Sequence, residues 1–317
     1  MGRVRLLVRC LLAAVLLGGC NGTDETDVAS TADGILQLGS VVASDTVRRA
    51  VALGTRTLVL NDLRGTVTLA GTTATVAQLR FRKQGRGASA IAAHQTLRGI
   101  RILESGTPQR FTYAAERDAP DRSTVDVTGS IPHATALRLE NTRGAVQIAD
   151  LAGPITLRHP FGTVNLMRMR GAVDVDIQSG DLMASFAALP DSGTVRLRTA
   201  NGDITLALPP DASATLTAET QVGWIQTPTL PLTDQRLTPL GAGFRYTGRL
   251  GAGRQTVRLS TDNGRITVQQ VVPSDAITLD SKAVPPADSL SPSDTTTLAP
   301  PPPAPSNELP QRDSLAP

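Results

Sequence analysis

Metal binding, acid–base catalysis and thiol chemistry each need particular side chains at particular spacings, and this 317-residue chain offers few candidates. Its 3 histidines are His94, His133 and His159. A zinc site gathers His, Cys or carboxylate ligands at short, characteristic separations. None of these histidines stands at such a spacing from another His or an acid, so each is expected at the surface or satisfied internally. The 2 cysteines, Cys10 and Cys20, both lie near the start, which leaves the body without a disulfide or a thiolate. Asp174 and Asp176, then Arg196 and Arg198, occupy alternating positions, so on strands each pair would share a face. Carboxylates with nearby cations on one face are what polysaccharide lyases and hydrolases use. Aromatic sugar platforms are missing, Trp224 being the one tryptophan, and a solvated mixed-charge face is the expected reading. Gly85-Arg86-Gly87 with Arg80, Arg82 and Lys83 forms a basic cluster able to meet anionic lipid heads or acidic glycans, and is expected in a solvated loop. Calcium-binding repeats need paired glycines and an aspartate at a fixed place in every unit. Asp174, Asp181 and Asp203 do not supply that stack, no phosphate-binding loop occurs, and no metal or cofactor is expected.

The first residues have the parts of a secretory signal: Arg3, Arg5 and Arg9, an apolar run from Leu11 to Leu17, and small residues before a cysteine. The apolar run is too short to span a bilayer, which takes about 20 residues. Leu17-Gly18-Gly19-Cys20 resembles the lipobox of bacterial lipoproteins. That resemblance implies acylation of Cys20, which becomes the first mature residue and anchors the chain to a membrane. Several acyl chains hold firmly where one holds weakly. Asn21, where an aspartate would favour the inner membrane of enterobacteria, points to the outer membrane or cell surface. The net charge of +3 equals the charge of the signal arginines, so the mature chain is near neutral and nucleic acid is not an expected partner.

The elements that must position any site follow from glycine spacing. Gly144, Gly153, Gly162, Gly171 and Gly180 recur every 9 residues; Gly193 follows after a 4-residue insertion, and Gly202 stands 9 further on. After each glycine the chain alternates variable, apolar, variable, apolar. The first apolar positions are Val146, Ile155, Val164, Val173, Leu182, Val195 and Ile204; the second are Ile148, Leu157, Leu166, Val175, Ala184, Leu197 and Leu206. Period-two alternation predicts a short strand with its apolar pair inward, and glycine suits the turn because it takes positive φ without strain. One such unit cannot bury its inner face, but stacked units can, which predicts an all-β, right-handed β-solenoid. Coils of two or of three units are both compatible with the spacing. Echoes of the unit occur at Leu58 to Leu60, Gly65 to Leu69, Val257 to Leu259 and Asn263 to Val268. Ser89 to Leu97 is alanine-rich and predicts the one short helix, while Gln221 to Gly243, broken by prolines, reads as a long loop or irregular rung.

Thr124 to Val127, Ile131-Pro132, Leu137 to Gly144, Gln178 to Asp181, Thr199 to Ile204 and Ser260 to Ile266 resemble the bacterial putative-adhesin domain family of unknown function, over roughly Leu58 to Val268. The resemblance implies a β-helical surface architecture and brings no catalytic residues. The expected organisation is a signal over 1–20, a flexible tether over 21–45, the solenoid over 46–272 and a disordered Pro-rich tail over 273–317. The expected function is a non-catalytic, lipid-anchored envelope module, adhesin-like, with a glycan or envelope protein as ligand. A polysaccharide-acting β-helix enzyme is the alternative.

Overall fold

The computed structural model describes residues 28–30, 36–38, 40–191, 193–228 and 230–271. The signal, Cys20, the Pro-rich tail and most of the tether fall outside them. Among the described residues 67% are in strands, with one α-helix and no closed barrel. Two large sheets, of 11 and 10 strands, face each other across one aliphatic core. The strands Val28–Ser30 and Leu36–Leu38 pair antiparallel, and Val41–Ala52 begins inside the stretch expected to be tether.

Coils have two strands each, a point the glycine spacing left open. Leu137 pairs with Ile155, Ile155 with Val173 and Val173 with Val195, all parallel in the 11-stranded sheet. Val146 pairs with Val164, Val164 with Leu182 and Leu182 with Ile204 in the 10-stranded sheet. Successive nine-residue units therefore alternate between sheets, and the cross-section is flat. Every first and second apolar position of the repeat is buried. Each such side chain contributes about 1.5–3 kcal/mol before chain entropy is subtracted, and stacking converts many weak strands into one continuous dry interior.

The coil order departs from chain order at both ends. Thr57–Leu63 lies between Leu137–Asn141 and Arg110–Arg117, and Gln255–Asn263 lies between Thr194–Asn201 and Ala214–Val222. Antiparallel strands close the ends. Val41–Ala52 and Val76–Gly87 finish one sheet, and the hairpin of Leu232–Leu240 with Gly243–Leu250 finishes the other. The stretch Gln221 to Gly243 is thus not a long loop. Leu232–Leu240 is an exposed edge strand, extended because its backbone pairs with Gly243–Leu250 in spite of Pro239. Ala90–Arg98 is the expected helix, capped by the Ser89 hydroxyl, which accepts from the Ala92 amide at 3.3 Å.

The turn glycines fall into two kinds. Gly144, Gly162, Gly180, Gly193 and Gly202 have φ between 95° and 149°. Gly153 and Gly171 are not in the left-handed region. They are needed for close approach instead, since a Cβ on Gly171 would stand 2.2 Å from the Gly153 carbonyl oxygen. Positive φ therefore explains only part of the repeat. The rest is tight stacking of one coil on the next.

Candidate functional site

His159 is buried in the third inward position of its strand, Ile155–Phe161. Its Nε2 lies 2.7 Å from the Gly144 carbonyl oxygen and its Nδ1 2.8 Å from that of Asn141. Neighbouring coils put other polar groups in this same column. Asn141 donates from Nδ2 to the Gly65 oxygen at 3.0 Å, Thr199 from its hydroxyl to Gly180 at 3.0 Å, Thr261 to Gly202 at 3.0 Å and Thr220 to Gly264 at 3.1 Å. Each residue stands three before a turn glycine and reaches the turn carbonyl of an adjacent coil. Left unpaired, a buried carbonyl costs about 1–3 kcal/mol. This ladder was not anticipated from the sequence, although the signal was present: a polar residue at an inward position, three before glycine.

Burial pushes the His159 imidazole below its usual value of 6.5, partly offset by the two carbonyls. A buried histidine with a lowered value binds fewer protons folded than unfolded. Its stabilising effect is complete above about pH 6.5 and is lost as pH falls through the folded value. Between about pH 7 and pH 5 the melting temperature is expected to drop more steeply for the natural chain than for His159→Gln, which keeps donors but does not titrate. Parallel slopes in thermal unfolding would contradict this.

His133 lies exposed, with Nδ1 3.0 Å from the Thr72 carbonyl oxygen, and His94 is on the helix. The structure does not bring the histidines together, and among the described residues no group of three His, Cys, Asp or Glu is placed to hold a metal. Asp181 and Asp203 cap the turns. Asp181 Oδ1 accepts the Asp203 amide at 2.9 Å, and Asp203 Oδ1 accepts the Arg265 amide at 2.7 Å. Their carboxylates are thereby spent on linking coil to coil.

Asp174 and Asp176 do share an outer face with Arg196 and Arg198, which they oppose directly in the parallel ladder. Arg158 donates to Asp174 at 2.9 Å, and Arg138 to Glu140 at 2.6 Å. On this face Asp174 and Glu140 are engaged by guanidinium groups, while Asp176 only lies opposite Arg198 in the register. A cleft of about 380 Å3 beside it is lined by Asp62, Glu140 and Arg158, with Glu140 held by Arg138.

The basic cluster is not a loop. Arg80, Arg82 and Arg86 lie within Val76–Gly87, a strand paired on both sides. Gly85 and Gly87 serve packing: a Cβ on either would fall 2.4 or 2.5 Å from a helix backbone nitrogen, that of Leu97 or Ala93. Lys83 turns away from Arg80 and Arg82 and pairs with Asp45 at 2.9 Å. Arg80 instead lines a cleft of about 520 Å3 with Arg48, Gln78, Thr128 and Ser130. Trp224, the one tryptophan, is exposed and stacks on Phe244 at 5.4 Å between ring centroids.

Two solved structures resemble the chain. One is described as a putative cell adhesion protein from Clostridium sporogenes, with TM-score 0.40 and 12% identity, covering 72% of this chain and 100% of that one. The other is a putative adhesin from Bacteroides fragilis, with TM-score 0.25 and 12% identity, covering 72% of this chain and 97% of that one. No curated protein matches the chain. The Toastrack DUF4097 family model matches residues 50–269, more than half of the 317 residues and nearly all of the two-sheet stack. The chain belongs to the Toastrack DUF4097 family.

Proposed function

We propose that this protein is a lipid-anchored component of the bacterial cell envelope whose Toastrack domain is a non-catalytic, adhesin-like interaction module. The carrying observation is the combination of Leu17-Gly18-Gly19-Cys20 at the start with a rigid stack whose outer faces are broad, flat and polar. A tethered stack of this kind presents ligand-binding side chains at fixed spacing without moving parts. Asn21 after the cysteine favours the outer membrane or surface over the inner membrane. Engagement of Asp174 by Arg158 and of Glu140 by Arg138 supports the non-catalytic reading, since a general acid or base must be free to exchange its proton with substrate. The cleft that holds Asp62 and Glu140 supports the second reading, a polysaccharide-acting enzyme. Loss of polysaccharide-cleaving activity in Glu140→Gln, with unchanged folding, would establish it.

The anchor is tested by Cys20→Ser. The natural chain is expected to take up radiolabelled palmitate in the expressing bacterium and to sediment with membranes. The variant is expected to lose the label and to release most of the protein into the soluble fraction, because several buried acyl chains are lost at about 0.8 kcal/mol per CH2. Equal label and equal sedimentation in the variant would overturn the anchored reading.

A further inference from the structure

We infer that the outer face of the 10-stranded sheet is a binding track for an acidic polysaccharide, with Arg48 and Arg80 as the subsite for its carboxylate or sulfate groups. The inference rests on the interaction-module reading and gives its ligand a chemical class.

Arg48 and Arg80 stand directly opposite each other across the antiparallel pair Val41–Ala52 and Val76–Gly87. Both are exposed, and among the described residues neither guanidinium is paired with a carboxylate. Like charges facing each other across a strand pair destabilise it. The neighbouring cations are treated differently: Lys83 is paired with Asp45, Arg49 with Glu104, and Arg82 lies opposite Asp126. An uncompensated arginine pair lining a cleft of about 520 Å3 is arranged to receive an anion. Guanidinium forks bind carboxylate and sulfate oxygens through paired N–H donors. Thr128, Ser130 and Gln78 line the same cleft and add neutral hydrogen-bonding groups of the kind that sugar hydroxyls use.

The cleft also opens onto a row. From Arg48 and Arg80 the cross-strand register continues through Thr128, Thr68, Gln147 and Asn165. These side chains step outward at the strand spacing of about 4.8 Å, close to the length of one sugar unit. A second cleft, of about 400 Å3, contains Gln147 and Asn165 farther along the row, together with Met183 and with Asp181 and Asp203, each of which accepts a backbone amide at Oδ1. Regularly spaced amides and hydroxyls starting from a cation pair suit an extended, hydroxyl-rich anionic chain. A membrane surface is the less suitable anion source, since among the described residues Met183, which follows Asn165 in the register, is the one large apolar side chain exposed on the row, too little to enter the lipid interface.

The test uses the full chain with its anchor, held in neutral phosphatidylcholine nanodiscs, and oligogalacturonate as probe. Dextran and phosphatidylglycerol vesicles are the comparison arms, and Arg48→Ser/Arg80→Thr is the variant. Oligogalacturonate is expected to bind with an affinity that falls as salt rises, and the double variant to lose roughly tenfold per arginine. The melting temperature is expected to stay level or rise, because the facing cations are gone. Equal binding of dextran, or unchanged oligogalacturonate binding in a folded variant, would overturn the acidic-glycan subsite. Variant-sensitive binding to phosphatidylglycerol vesicles without oligogalacturonate binding would overturn it in favour of an anionic membrane. Any of these results with normal palmitate labelling and membrane sedimentation leaves the anchored-module reading standing. Loss of anchoring with intact oligogalacturonate binding separates the two the other way.

Discussion

Val164→Asp is expected to unfold the solenoid or bring it to the edge of unfolding at neutral pH. Val164 is 1% exposed and sits in an aliphatic column with Val67, Val146, Leu182, Ile204 and Ile266. A carboxylate there has no hydrogen-bonding partner within the column, and an unpaired buried charge costs several kcal/mol. The net stability of a domain is about 5–15 kcal/mol, so one substitution removes a large part of it. The aspartate would relieve the penalty by staying protonated, which raises its value in the folded state. The variant therefore binds more protons folded than unfolded, and its deficit is expected to shrink as pH falls toward the unfolded carboxyl value of about 4. Gln147→Glu, on an exposed position in the neighbouring strand, is the control and is expected to change stability by less than about 0.5 kcal/mol. Circular dichroism melts of the three proteins check this. A Val164→Asp protein melting with the natural chain would mean that the column is not a dry interior.

Gly180→Ala carries the second large effect, and a single methyl group produces it. Gly180 has φ +144°, and a Cβ placed on it would lie 2.0 Å from the Gly162 carbonyl oxygen and 2.6 Å from its carbon. The obstacle is backbone, so no rotamer change can clear it. The same contact recurs along one edge of the stack: Gly162 over Gly144, Gly202 over Gly180 and Gly264 over Gly202, each with a carbonyl oxygen 2.0 or 2.1 Å from the missing methyl. Opening the gap at Gly180 also strains the bond from the Thr199 hydroxyl to the Gly180 oxygen. The combined cost is expected to be roughly 3 kcal/mol or more. Gly54→Ala separates the two causes. Gly54 has φ +58° with nothing within 4 Å of its missing Cβ, so only the backbone penalty of about 1 kcal/mol applies. Urea midpoints are expected to fall far more for Gly180→Ala than for Gly54→Ala. Equal shifts would mean that conformation alone, without coil-to-coil contact, explains the repeat.

These two positions mark how far local pattern reaches. Val164 was legible as inward because alternation is a property of a single strand: successive side chains must point to opposite faces whatever the partner. The helix at Ala90–Arg98 was legible from its alanine-rich run, while the Ser89 cap is seen only in the structure. Gly171 was legible as a turn position but for an incomplete reason. Its need for a bare Cα comes from Gly153, a residue of the coil stacked against it. The edge strand Leu232–Leu240 falls in a stretch that reads as a long loop or irregular rung, since Pro231 and Pro239 weaken any local strand signal and only pairing with Gly243–Leu250 makes it extended.

The candidate binding face divides in the same way. Arg80 and Arg82 stood out as a basic cluster, but Arg48 did not, because it comes from a strand 32 positions earlier whose register is set by pairing. Lys83 dropped out for the converse reason: being close in sequence did not put it on the face of Arg80, and Asp45 pairs with it. The Asn141, His159, Thr199 and Thr261 ladder was likewise invisible as a unit, since its members meet only through glycine carbonyls one coil away.

The amino-acid sequence by itself determined the strand unit, its inward and outward faces, the stacked architecture and the expectation of a lipid-bearing start. All of these follow from short-range periodicity and from what each residue type can bury. The tertiary structure alone decided that two units make a coil and that Thr57–Leu63 and Gln255–Asn263 insert out of chain order. It also decided which arginines face one another. Those outcomes depend on register between segments far apart in the chain, where identical apolar ladders permit several pairings and only the packed whole selects one.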